Sequence, residues 1–382
     1  MAYYGNESQR PAFSNHSINV FFDGSGYVYP DVALEDMDFF EEKRPLLQAY
    51  YSEASRYNRV AEAYGLPPVE AVPDTDAIEA LNSAVKHLWL EQVNAELAVH
   101  DRVVVLVHGY NNTYHELIGP YSLFQNRIDA ITGTNNFYIN VFWDGLTDNT
   151  AKDISKQESL FYGETGGLRA GINNLKIWRR AQHQALFAGM ELRTLLRRLQ
   201  TDSLTLVSHS LGARVVASTL FNIEPEDDWK KPSVAQARYL AAISADQHPA
   251  PQQHISVGMM APAIGGKETF DDYFIRENAA RSAADSSDFH FTIGFNTNDE
   301  VLRKFNLFGK KSANFLGDTS FGTLKNDVDS VHTLFRENGL EQRFDVVDFS
   351  KTFQGYPQNK HSMIFYLDNP NFDSFIKQVL ED

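Results

Sequence analysis

Cysteine is missing from all 382 residues, which excludes disulfides, Cys-ligated zinc and thiol catalysis together. No apolar run approaches the roughly 18 to 20 residues that span a bilayer. Residues 1 to 30 also lack the basic-then-apolar pattern of a signal peptide. Basic runs are absent too: 34 Lys and Arg lie scattered among 50 Asp and Glu, for a net charge of -16. Phosphate binding relies on clustered Lys and Arg, so nucleic acid is not an expected partner, and the acidic balance favours solubility. There is no internal repeat, no His-Glu-x-x-His and no other close-spaced ligand cluster. Neither a metal nor a cofactor is therefore expected. Met1-Ala2 before a polar segment fits a removed signal or lipoprotein leader, which leaves cytoplasmic and exported locations both open.

What is present is a chain that is 43% hydrophobic, enough to bury a sizeable core as one large α/β domain or two smaller ones. Ile18, Val20 and Phe22 alternate before Asp23-Gly24-Ser25-Gly26, and Tyr27-Val28-Tyr29 comes next, which predicts two short strands around a glycine turn. Pro45 opens a helical pattern from Leu46 to Ala61 that Gly65 and Pro67-Pro68 end. A second helix is predicted from about Asp76 to Val99.

From residue 102 the texture changes to short apolar runs at 103–107, 137–143, 204–207, 255–260, 289–295 and 344–349. Runs this rich in Val, Ile, Leu and Phe, and too short for helices, read as strands covered on both faces of a parallel sheet. Helices are predicted between them, notably Lys176 to Leu199 and Glu268 to Ala283. Polar, glycine-bearing segments near 144–171 and 305–340 read as insertions capping the fold. The expected division is an N-terminal extension over 1–100, packed on a catalytic domain over 101–382.

The run Leu204 to Val207 breaks into Ser208-His209-Ser210-Leu211-Gly212 and continues as Ala213-Arg214-Val215-Val216. A strand that turns sharply into a helix with a serine at its apex needs small residues two positions before and after, and Ser208 and Gly212 fill those places. Alone, such a string also fits a helix N-cap. The nucleophile reading requires a base, a carboxylate and oxyanion donors at other strand ends. His108-Gly109-Tyr110-Asn111-Asn112 comes after the 103–107 strand, where the glycine permits a tight turn that presents the Tyr110 amide; the Leu211 amide would be the second donor. Asp299 ends the 289–295 strand in a polar loop, with Asp144 and Asp348 as competing acids. Of twelve histidines, His361 stands in a loop after the last strand. His209 points away from its neighbour, His108 braces the oxyanion loop, and His115, His183, His290 and His332 read as surface or packing residues.

The order Ser210, Asp299, His361 is that of the α/β hydrolases. Over about residues 100 to 382 the chain resembles that superfamily, and more narrowly an uncharacterised bacterial group with His-Gly-aromatic-Asn at the first loop and Ser-His-Ser-x-Gly at the elbow. The resemblance implies a mostly parallel sheet with helices on both faces. It also implies a Ser210 nucleophile, a His361 base, an Asp299 orienter, and an oxyanion hole from the Tyr110 and Leu211 amides. Two departures stand out: Ser208 replaces the first elbow glycine, and 62 residues separate acid from base, which implies an insertion. The expected activity is cleavage of a small-molecule or lipid ester through an acyl-enzyme, with 27 Phe and 17 Tyr favouring an apolar acyl or aromatic group. Two further readings stay open: a vestigial scaffold used for binding, and a lipid-degrading antibacterial effector. The sequence does not fix the oligomeric state.

Overall fold

The computed structural model describes residues 16–34, 46–110, 112, 114–133, 135–145, 168–223, 232–245, 254–266, 269–271, 273–274, 288–306, 320–351 and 360–380. Among the described residues, seven strands form one sheet in the order β1-β3-β2-β4-β5-β6-β7. They are β1 (Ser17–Phe22), β2 (Arg102–Val107), β3 (Asn136–Trp143), β4 (Ser203–His209), β5 (His254–Met260), β6 (Asp288–Phe295) and β7 (Phe344–Asp348). Every neighbouring pair is parallel. The six apolar runs from residue 103 onward all become strands. From β2 to β5 nearly every residue is buried because helices cover both sides, while β6 begins exposed and β7 is only partly buried.

Among the described residues, α1 (Ala54–Ala63) and α2 (Thr75–Leu97) precede β2, α3 (Tyr114–Thr132) precedes β3 and α4 (Leu168–Leu196) precedes β4. Then come α5 (Gly212–Leu220), α6 (Val234–Ser244), α7 (Glu300–Asn306), α8 (Lys325–Glu337), α9 (Met363–Asp368) and α10 (Phe372–Leu380). Strand alternation sorts several of them by face. Gly258 and Gly294 face Phe375 of α10, and Asn140 takes a hydrogen bond from Gln125 of α3, so α3 and α10 share one side. The opposite side carries Phe291, packed on Phe221 just after α5 and on Phe335 of α8. The α/β-hydrolase arrangement expected from the sequence is what folds.

Three local expectations change. Residues 17–22 form the parallel edge strand of the main sheet, and the expected second strand reduces to an antiparallel bridge, Phe22 to Val28. The Asp23 carboxylate accepts the Ser25 and Tyr27 amides, so the turn closes on its own side chain and leaves little strand to pair. The Leu46 to Ala61 helix is broken into a turn at Leu47–Tyr50 and α1, which lets adjacent Tyr50 and Tyr51 both point into the core. The helix before β4 starts at Leu168, earlier than expected. The predicted helix over 268–283 and the capping segments 146–167 and 307–319 lie largely or wholly outside the described residues.

The strand order locates the functional edge. After β2 the chain moves to β3 on one side, and β4 then joins β2 on the other. The sheet therefore changes winding direction between β2 and β4. In open α/β sheets a ligand crevice forms at the carboxyl ends of the strands at such a switch point. His108-Gly109 ends β2, and Ser210 ends β4.

Candidate active site

Ser210 sits at a corner. Its φ of 55° is one of two positive values at non-glycine residues in the described chain, the other being Ala261 at 45°. Such backbone costs of order 1 to 3 kcal/mol and persists where its surroundings enforce it. Here the Ser210 amide donates to the Met260 carbonyl at 3.0 Å, and the Ser210 carbonyl accepts the amides of Ala263 at 3.0 Å and Ala213 at 3.1 Å. The strand end of β5 and the first turn of α5 thus hold the corner from both directions. Gly212 is required because a β-carbon there would lie 2.5 Å from the His108 carbonyl oxygen. Ser208 is fully buried, and its hydroxyl points to the Gly258 carbonyl at 3.5 Å, so it is a small spacer within the sheet.

The structure brings Ser210, His361 and Asp299 into one chain of hydrogen bonds. His361 Nε2 lies 2.8 Å from Ser210 Oγ, and His361 Nδ1 lies 2.6 Å from Asp299 Oδ2. An ionised carboxylate only accepts, so Nδ1 carries the hydrogen and Nε2 of the neutral ring is left to accept from the serine hydroxyl. Asp299 is completely buried at the start of α7. Its Oδ1 accepts the Val301 and Leu302 amides at 3.0 Å each. Burial alone would push this carboxyl up, but His361 and these hydrogen bonds outweigh it and hold the group below its ordinary value. Asp348 instead receives the Ser350 amide on the exposed end of β7, and Asp144 ends β3.

Two residues in the same cluster carried no sequence signal. The Tyr366 hydroxyl donates to Asp299 Oδ2 at 3.1 Å, and Asn296 Nδ2 reaches the Lys360 carbonyl at 3.3 Å and the Tyr366 hydroxyl at 3.4 Å. Tyr366 lies in Met-Ile-Phe-Tyr-Leu, which reads as ordinary core. His209 is buried with its ring 5.0 Å from that of His361 and 5.5 Å from that of Tyr366. Burial, reinforced by the neighbouring His361, lowers its pKa to about 3, so it stays a neutral packing wedge.

The loop after β2 lies directly against the serine. A β-carbon on Gly109 would stand 2.8 Å from Ser210 Cβ. His108 is fully buried. The Trp143 amide donates to its Nε2 at 3.1 Å, so Nδ1 holds the hydrogen and bonds the Gly109 carbonyl at 2.7 Å. The Trp143 indole returns a bond to the His108 carbonyl at 2.9 Å. Burial lowers the His108 pKa to about 4, which keeps this brace uncharged. Asn112 Nδ2 bonds the carbonyls of Gly109 at 3.1 Å and Tyr110 at 3.2 Å, while the Tyr110 ring meets Trp178 edge-on. The Leu211 amide, at the head of α5, donates to no group among the described residues. Asn111 and the side chain of His115 lie outside the described residues.

A second Ser, His and Asp also meet. Ser256 Oγ lies 3.2 Å from His254 Nε2, and His254 Nδ1 lies 3.3 Å from Asp288 Oδ2. Ser256 is mid-strand in β5 and heads no helix of its own whose amides could be aimed at an oxyanion. Its environment is that of a sheet residue. His290 likewise bonds Asp345 at 2.9 Å, and His332 stacks on Phe344. No group of three or more His, Asp or Glu among the described residues is placed to hold a metal ion, and none of their helices is long and apolar enough to cross a membrane.

A family model described as an alpha/beta hydrolase of unknown function (DUF900) matches residues 86–376, well over half of the chain. No curated protein matches the sequence.

Proposed function

The chain belongs to the DUF900 family of alpha/beta hydrolases, and on that footing we propose that it is a serine hydrolase cleaving carboxylic esters through an acyl-enzyme on Ser210. The observation that carries this reading is the pair of short contacts through His361, 2.6 Å to Asp299 and 2.8 Å to Ser210. His361 Nε2 takes the hydroxyl proton as Ser210 Oγ bonds the substrate carbonyl carbon. The resulting oxyanion is received by the Leu211 and Tyr110 amides, at the point where Gly109 brings the loop against the serine. Asp299 keeps the hydrogen on Nδ1 and balances the imidazolium formed in the transition state. His361 Nε2 then gives its proton to the departing alcohol oxygen as the tetrahedral adduct collapses. A water molecule repeats the sequence in reverse roles and releases the carboxylic acid, restoring the serine.

The aromatic content says less about the acyl group than composition alone suggests. Phe321, within the Phe-bearing insertion, is fully buried and packs on Phe270 and Phe344. Phe221, Phe270, Phe291 and Phe335 likewise pack on one another. A chain-length series of p-nitrophenyl esters measures the acyl preference directly.

The decisive experiment combines turnover of such an ester with fluorophosphonate labelling. Ser210→Ala is expected to lose a factor on the order of 10⁴ to 10⁶ in kcat and all labelling, while Ser256→Ala keeps both. Wild-type turnover by Ser210→Ala, or label found on Ser256, would end the proposal.

A further inference from the structure

We infer that Tyr366 is a positioning residue whose hydroxyl locks the Asp299 carboxylate against His361, an inference that rests on Ser210 being the nucleophile. An ionised carboxylate offers about four accepting positions. All four are used: Oδ1 by the Val301 and Leu302 amides, Oδ2 by His361 Nδ1 and the Tyr366 hydroxyl.

The direction of the tyrosine bond is set by its other neighbour. Asn296 Nδ2 can only donate, and it reaches the Tyr366 oxygen at 3.4 Å. The phenolic hydrogen is thereby left for Asp299. The hydroxyl is also rigidly placed. Tyr366 is fully buried on α9, whose first turn is capped by the Ser362 side chain accepting the Phe365 amide at 3.3 Å. That helix begins two residues after His361. The base and the group that braces its partner therefore ride on one short segment.

The other titratable groups around this pair are His209, whose ring meets those of both His361 and Tyr366, and Lys360 with Glu300, 3.8 Å apart. None of them contributes a further hydrogen bond to the Asp299 oxygens among the described residues. Without the phenol, Oδ2 would keep His361 as its single partner, and the carboxylate would be held against rotation about its Cβ–Cγ bond by three hydrogen bonds instead of four. It would also hold the ring proton of His361 more firmly, because one competing donor is gone.

The test is Tyr366→Phe, which removes one oxygen atom and keeps the ring. Expected are a ten- to hundredfold fall in kcat, the size of one hydrogen bond to a charged group, little change in KM, and an acidic limb of the kcat/KM profile displaced to higher pH. A role confined to packing would lower the folded fraction and leave that limb in place. If Tyr366→Phe does not fold, 3-fluorotyrosine at position 366 replaces it. Its more acidic phenol is a stronger donor and should move the same limb to lower pH. A profile superimposed on the parent in whichever variant folds overturns the inference. Ser210→Ala is run in parallel: turnover surviving there defeats the nucleophile reading itself, whereas an inactive Ser210→Ala with an unshifted tyrosine variant defeats only the role of Tyr366.

Discussion

Gly109 and Ser210 approach so closely that a β-carbon on the glycine would lie 2.8 Å from that of the serine. The contact joins the end of β2 to the end of β4 across the point where the sheet reverses its winding. No side chain fits between them, so any residue but glycine must push the loop away from the serine.

Gly109→Ala tests that spacing directly. The loop must shift by several tenths of an ångström, and the Tyr110 amide moves with it. Losing one oxyanion donor costs about 10² to 10³ in kcat, so a fall of that size is expected, with KM altered far less. Steady-state kinetics alongside a urea titration separates this from a loss of folded protein. An alanine variant with parental kcat would remove the Tyr110 amide from the mechanism.

The parts of this arrangement that were legible in the sequence are those whose physics is local. Buried parallel strands need unbroken apolar runs, a serine elbow needs small flanking residues, and strand-end acids and bases fall in polar loops. Residues 204–212, Asp299 and His361 could all be picked out on those grounds. What was hidden depends on partners distant in the chain. The alternation at Ile18, Val20 and Phe22 marks a strand, but nothing in it says that the strand pairs with β3, more than a hundred residues on. Tyr366 looks like core because it is core, apart from one oxygen. The 62 positions between Asp299 and His361 do not disturb their meeting because α7 follows the carboxyl end of β6 and α9, just after His361, follows β7.

Asp23 gives the stability a pH dependence of definite sign. Its carboxylate, 1% exposed, takes the Ser25 and Tyr27 amides on one oxygen and the Leu47 amide on the other. Burial pushes its pKa up to about 6, Asp144 adds to the rise, and the three amides pull part of it back. The folded state thus binds this proton more tightly than the unfolded chain, whose carboxyl titrates near the ordinary value of about 4. The contribution is complete below about pH 4 and disappears as pH rises through about 6, a difference of up to about 3 kcal/mol. In Asp23→Asn the two amides on Oδ1 keep their acceptor, but the new amide group faces the Leu47 N–H. The variant should be less stable at every pH, yet without this slope. Urea midpoints from pH 4 to 7 check it: the parent should lose its advantage over the variant as pH rises, and a constant gap would mean that the carboxyl is not raised.

Glu191 on α4 is one of the points that tie the first hundred residues to the rest of the chain. Its side chain is 3% exposed and bonds Lys86 of α2 at 2.9 Å and the Arg238 guanidinium of α6. Arg238 also pairs with Glu79 of α2 at 3.1 Å and lies 4.2 Å over the Tyr27 ring, while the Tyr27 hydroxyl donates to Glu79 at 2.9 Å. One buried carboxylate therefore holds two cations from different helices, and removing it takes from Lys86 its ion pair and leaves Arg238 with Glu79 alone. Breaking a buried pair in this way typically costs about 3 to 5 kcal/mol, so Glu191→Gln should lower the urea midpoint markedly. The exposed Lys325–Asp329 pair on α8, at 62% and 52% exposure, supplies the control, since such pairs contribute well under about 1 kcal/mol. The double variant Glu191→Met with Lys86→Met should recover part of the loss, because it removes an orphaned charge together with its partner. A Glu191→Gln midpoint no lower than that of Lys325→Ala would show that this ion-pair cluster adds nothing to the hold that the β1–β3 pairing and the apolar contacts already give the N-terminal segment.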